Sequence, residues 1–271
     1  MIGLFSHTIR MKTKGRCDMP YTFVEHSVPL YYEMIGSGTP IVFVHPPGMG
    51  SVTFHRQREL SSSFQIVTYD LRGNGKSGKG KKPITMDVLA SDLHELFNHL
   101  ELKEAIVCGY SNGGSIAQHF ALQYPHQVKA LILISGFSEV CTPLLYGEFL
   151  IGIYAVKWHG LSILANVLGN SHGITKEEQQ MIADYVRLCD RQRLYEMYVT
   201  GLHYRSTDRL HELRCPILLI YGSRDYYVHT YGRIFQQHAH DVRIVYVDGA
   251  KHQIPTKHHK ELNLIIRSYF S

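Results

Sequence analysis

Short runs of β-branched and apolar residues alternate along this chain with stretches patterned at helical spacing. The runs lie at 21–27 (YTFVEHS), 30–35, 41–45 (IVFVH), 64–69 (FQIVTY), 105–109 (AIVCG), 128–135 (VKALILIS), 216–221 (PILLIY) and 242–247 (VRIVYV). Helical patterns fall near 51–60, 86–101, 114–124, 229–239 and 257–269. Continuous apolar runs such as ALILIS predict strands covered on both faces, the mark of a parallel sheet. Their alternation with helices predicts βαβ crossovers. The first two runs have no helix between them and read as an antiparallel hairpin at the sheet edge. The predicted fold class is α/β, a mostly parallel, doubly wound sheet.

One segment breaks the alternation. From Phe137 to Arg214 no strand pattern occurs, only helix-like stretches. Within it Thr175 and Glu178 have the spacing of a capping box, in which each side chain satisfies the other's free backbone amide at a helix start. The pattern predicts a helical cap over 137–214, inserted between two strands of a core formed by 19–136 and 215–271. Most of its aromatic and aliphatic residues, Phe149 and Trp158 among them, are expected to pack, and some to line whatever lies beneath. Residues 1–18, basic and free of acids through Cys17, read as a disordered extension.

Composition narrows the partners. The 28 Lys and Arg against 23 Asp and Glu leave a formal net charge of +5, too mild to argue for nucleic acid. The dense basic run GKSGKGKK at 75–82 has no interleaved aromatics and reads as a solvated loop. Five scattered cysteines without a CxxC pair suggest free thiols in a reducing, cytoplasmic setting. The longest apolar tract, FLIGIYAVKWHGLSILANVLG, is interrupted by Lys157 and His159, so no membrane span is expected.

Candidate chemistry begins at AIVCGYSNGGSIA, residues 105–117. Here G-x-S-x-G sits between a strand pattern and a helix pattern. A sharp strand-to-helix turn forces its central residue into strained backbone geometry, and flanking glycines remove the Cβ atoms that would clash. Ser111 then projects clear of the sheet at a helix N-terminus, where backbone N–H groups favour negative charge. The Asn112 N–H is the first candidate donor to an oxyanion.

A serine hydroxyl needs a base, and the base needs an orienting group. LLIYGSRDYYVH places Asp225 after one strand, and VYVDGAKHQIP places His252 after the next. In an open α/β sheet such loops converge on one edge. Glu139 and Asp248 are competing acids, and His258 and His259 competing bases in the last helix. Two decoys carry less. Gly75-Lys76-Ser77 ends like a phosphate loop, but Asp70 stands where that motif opens on glycine. The pairs His238/His240 and His258/His259 lack further ligands at metal-binding spacing. No metal or cofactor is expected.

With GYSNG and with YDLRGNGKSG (69–78), similar to a D-x-R-G-x-G-x-S turn after the fourth strand, the chain resembles the α/β-hydrolase superfamily over roughly residues 20–270. It is similar to the small, capped esterase- and haloperoxidase-like members. The resemblance implies an α/β-hydrolase fold with an inserted cap, with Ser111 as nucleophile, Asp225 as acid and His252 as base. One departure concerns the second oxyanion donor. FVHPPGMGS (43–51) has Pro46 in place of the family's glycine and Pro47 at the donor position, and proline has no N–H. A shifted loop, with Gly48 or Met49 supplying the amide, is the expectation.

The function expected is cofactor-free serine hydrolysis of a small to medium, largely uncharged carboxylic ester, a small-molecule substrate. Three alternatives share these motifs: a ligand-sensing homologue without turnover, for which the double proline speaks, a C–C hydrolase or lyase, and an aminopeptidase.

Overall fold

The computed structural model describes residues 20–158 and 160–270; the predicted extension at 1–18 lies outside them. Among the described residues eight strands form one sheet: β1 (Tyr21–Val24), β2 (Val28–Ile35), β3 (Pro40–Val44), β4 (Gln65–Tyr69), β5 (Ala105–Tyr110), β6 (Val128–Ile134), β7 (Ile217–Gly222) and β8 (Val242–Val247). Their spatial order is β1-β2-β4-β3-β5-β6-β7-β8. β1 and β2 form the expected antiparallel hairpin, β2 runs antiparallel to β4, and every other pairing is parallel.

Period-2 alternation divides the core. Ile41, Phe43, Ile106, Cys108, Ile132 and Ile220 point to one face, where Phe54, Leu60, Leu262 and Ile266 cover them. Val42, Val44, Val107, Leu131, Leu133 and Leu219 point to the other. That face is covered by α1 (Met86–His99), α2 (Asn112–Gln123) and α7 (Tyr231–His238). Each fully buried aliphatic side chain contributes about 1.5–3 kcal/mol, so a sheet apolar on both faces must be sandwiched. The covering stretch at Ser51–Ser62 departs from the expected helix. It is a pair of 3-10 turns broken at Phe54, whose backbone leaves helical geometry while its ring packs on Phe43.

Between β6 and β7 the chain inserts four helices: α3 (Pro143–Lys157), α4 (Leu161–His172), α5 (Lys176–Arg187) and α6 (Arg191–His203). The capping box at α5 is present in both directions. α6 is tied to the core by the Asp190 N–H on Gly73 O (2.8 Å), by Glu196 accepting from the Ile84 N–H (2.9 Å), and by Thr200 on Ile84 O (2.9 Å). The short α8 (Ile254–Lys257) and α9 (His259–Phe270) close the fold. Among the described residues no helix is long and apolar enough to cross a membrane. From β3 the chain moves to β4 on one side and then crosses to β5 on the other. The C-terminal ends of β3 and β5 therefore flank the crevice where open α/β sheets bind ligands.

Candidate active site

Ser111 follows β5 with φ +51 and ψ −125, a strained turn for a residue with a side chain. The glycines make it possible. A Cβ on Gly113 would lie 2.2 Å from Val44 O, and one on Gly109 would lie 2.5 Å from the Gly114 Cα. The elbow is thus wedged directly against the central strand β3.

Three residues from three separate loops meet at this turn. Ser111 Oγ lies 3.0 Å from His252 Nε2, and Nδ1 of the same ring lies 2.9 Å from Asp225 Oδ2. An ionised carboxylate only accepts, so Nδ1 carries the proton and Nε2 presents its lone pair to the hydroxyl. Both His252 and Asp225 are buried. Burial works to raise the Asp225 carboxyl, but the His252 ring, the Ser135 hydroxyl and the charge of His229 together hold it below its ordinary value. Burial likewise works to lower His252, yet the hydrogen bond and charge of Asp225, with a smaller effect of Glu148, carry it above its ordinary value.

The competing residues are elsewhere. Glu139 accepts from Thr207 (2.7 Å) and pairs with Arg205 (2.9 Å). Asp248 meets Ser223 at 3.4 Å. His259 is buried against Thr256 O at 3.2 Å, and His258 stands at the junction of α8 and α9.

A cleft opens over Ser111. Pro46, Pro47 and Met49 form its core-side wall, and Tyr110 and Asn112 flank the serine. The inserted helices contribute Leu145, Glu148, Phe149, Leu168, His172 and Tyr198. The wall is mostly apolar, with no Lys or Arg among the described residues. His172 is pushed down to about 3, chiefly by burial, and so is neutral. Its Nε2 faces the Tyr110 hydroxyl at 3.2 Å, which also reaches His252 O at 3.0 Å.

The loop expected to supply the second oxyanion donor has its amides turned to internal acceptors. The Gly48 N–H donates to Asn74 Oδ1 at 2.8 Å, and Gly48 does not line the cleft. The Met49 N–H closes onto Pro46 O at 3.3 Å, although Met49 itself reaches the cleft wall. Both amides thus have acceptors, that of Met49 within the loop and that of Gly48 on Asn74, which reaches across from the turn after β4. The Asn112 N–H stands at the open start of α2, where no intrahelical acceptor exists.

The D-x-R-G-x-G-x-S turn scaffolds this loop. Asp70 accepts from the Ser51 N–H (2.6 Å) and the Lys76 N–H (2.8 Å), so its carboxylate is consumed internally. His45, which burial pushes down, accepts from the Leu71 N–H at Nε2 (2.9 Å) and donates from Nδ1 to Pro46 O (2.7 Å). Arg72 is wholly buried against Asp92 and Glu25. Sequence reasoning missed Ser135, Glu148 and His172 at the site. Ser135 alone carried a signal, as a hydroxyl at the C-terminal end of a buried strand.

The family model described as "Hydrolase_4: Serine aminopeptidase, S33" matches residues 58–258. The chain is 26% identical over 254 residues to RutD of Azorhizobium caulinodans, provisionally named a carbamate hydrolase; the match covers 86% of this chain and 91% of that one. A solved hydrolase from Pseudomonas aeruginosa PA01 superposes with a TM-score of 0.83 at 19% identity, covering 95% of this chain and 100% of its own. The esterase EaEST from Exiguobacterium antarcticum does so with a TM-score of 0.83 at 19% identity, covering 92% and 98%. These two likenesses show a shared fold.

Proposed function

Because the chain belongs to the serine aminopeptidase S33 family, within the α/β-hydrolase superfamily, we propose that it hydrolyses small to medium, largely uncharged carboxylic esters through an acyl-enzyme. Ser111 is the nucleophile, His252 the general base and acid, and Asp225 the group that orients the base. The reading is carried by one observation: the unbroken line of hydrogen bonds from Asp225 through His252 to Ser111, ending in a mostly apolar cleft.

Ser111 Oγ attacks the carbonyl carbon as its proton passes to His252 Nε2. The oxyanion accepts from the Asn112 N–H. Of the two loop amides, that of Met49 has the longer internal hydrogen bond and belongs to a residue of the cleft wall, so it is the one that re-aims to assist. His252 returns the proton to the leaving alkoxide as the C–O bond breaks. Water, deprotonated by the same ring, then attacks the acyl-enzyme and releases the acid. Helices α3–α6 act as the cap that shapes the acyl and alcohol subsites.

Glu148 sets the charge preference. Among the described residues it is the one acid in the cleft wall, with no Lys or Arg beside it there, so esters bearing a carboxylate are disfavoured. It also favours a second reading, cleavage of an amide beside a free amino terminus, since an ammonium would find its countercharge there. A substrate panel separates the two. p-Nitrophenyl acetate and butyrate should be turned over, with aminoacyl p-nitroanilides at background. Glu148→Gln should raise kcat/KM for a carboxylate-bearing ester by roughly threefold, the scale of an exposed and screened charge contact. Anilide cleavage outrunning ester cleavage would replace the first reading with the second.

A further inference from the structure

We infer that Ser135 is a positioning residue of the catalytic site, whose hydroxyl fixes which oxygen of Asp225 meets His252. The inference rests on the catalytic reading above and adds a fourth side chain to it.

Ser135 directly follows β6, between the strand that ends in Ser111 and the strand that leads to Asp225. Its backbone is pinned on one side: the Ser135 N–H donates to Ile220 O on β7 at 2.8 Å. On the other side the Ser111 N–H donates to the adjacent Ile134 O, also at 2.8 Å. Residues 134–135 thus bridge the nucleophile strand and the acid strand.

Ser135 has φ +48, a left-handed conformation that any side chain beyond hydrogen occupies at a cost. Glycine would be free of that cost, and the next residue is in fact Gly136. What serine adds at 135 is the hydroxyl. That hydroxyl is fully buried and donates to Asp225 Oδ2 at 2.7 Å.

The carboxylate is held asymmetrically. Oδ2 accepts from both Ser135 Oγ and His252 Nδ1, whereas Oδ1 is buried without a partner among the described residues. Two donors converging on one oxygen define both the torsion of the carboxylate and the plane in which the imidazole must lie. Without Ser135, the His252 N–H alone holds the acid, and the two oxygens compete for it. The hydroxyl also stabilises the charged carboxylate and so moderates its basicity. Removing it leaves a more basic partner, and the His252 imidazolium is then harder to deprotonate.

Ser135→Gly isolates the hydroxyl, because glycine adopts the same φ without strain. The test combines three readings of the full chain: the pH profile of kcat/KM for p-nitrophenyl butyrate, the NMR titration of the His252 ring identified with a His252→Gln variant, and the melting temperature. Expected is a fall in kcat of about tenfold at unchanged KM, the scale of one hydrogen bond to a charged group. The acid limb and the ring titration should both move to higher pH, with the melting temperature unchanged or raised. The inference is overturned if kcat/KM stays within about twofold of wild type. It is equally overturned if the ring titration does not move, or if activity falls only together with stability. A wild-type enzyme inert toward esters would defeat the ester reading, while the ring titration would still decide the role of Ser135.

Discussion

Asp225→Asn is expected to lower kcat/KM for p-nitrophenyl butyrate by about 10⁴-fold with KM nearly unchanged, the scale seen when an orienting acid can no longer hold the correct tautomer. The imidazole of His252 presents a lone pair to Ser111 only because Nδ1–H is engaged by Asp225 Oδ2 at 2.9 Å. An amide donates as readily as it accepts, so the tautomer is no longer dictated. The pH dependence supplies an independent sign. His252 must be neutral to accept the serine proton, and in the wild type it titrates above its ordinary value. Wild-type kcat/KM therefore falls as pH drops through a point above about 6.5. Asp225, held below its ordinary value, stays ionised across that window. In the variant the upward pull of the carboxylate is gone and burial remains, so the residual acid limb moves to lower pH. A loss under about tenfold, or a limb that moves upward, would contradict this assignment of the acid. The opposite sign is expected for Ser135→Gly, which makes the two substitutions mutual controls.

Gly113→Ala should be among the most destabilising single-methyl additions in the chain. The new Cβ would sit 2.2 Å from Val44 O and 2.9 Å from His45 O. Both are main-chain atoms at the buried C-terminal end of a central strand, which cannot step aside without moving the whole loop at 45–50. The expected loss is about 3 kcal/mol, the upper end of overpacking costs, or roughly 6–12 °C in Tm for a domain of this size. Gly147→Ala is the matched control. It lies within helix α3, where a Cβ meets nothing within 4 Å. Removing a helical glycine there should stabilise by about 0.5–1 kcal/mol. Thermal unfolding followed by circular dichroism checks both. Equal melting temperatures for the two variants would show that the elbow is not wedged against β3.

The fold was legible because its signals are local. Alternating buried positions within IVFVH, AIVCG and ALILIS face two separate cores, and the capping box at Thr175 requires residues only three apart. The stretch at 51–60 misled because apolar spacing cannot reveal the break at Phe54, whose ring packs on Phe43. The convergence of Ser111, Asp225 and His252 was legible because each occupies a loop after a strand, and parallel strands bring such loops to one edge. The loop at 46–50 was not readable in the same way. The direction of the Gly48 amide is decided by Asn74, 26 residues away, and no pattern within HPPGMG encodes that partner. Glu148 was hidden for a related reason. Helix α3 is apolar nearly all round, so its sequence does not tell which side faces the cleft.

The central claim is that the hydroxyl at Ser111 is made nucleophilic by His252. Intact-mass analysis after treatment with a fluorophosphonate, followed by peptide mapping, tests it most directly. One adduct on wild type, located to the peptide carrying Ser111 and absent from both Ser111→Ala and His252→Ala, is the predicted result. Folded wild-type protein that takes up no label, or an adduct that persists in Ser111→Ala, would contradict it.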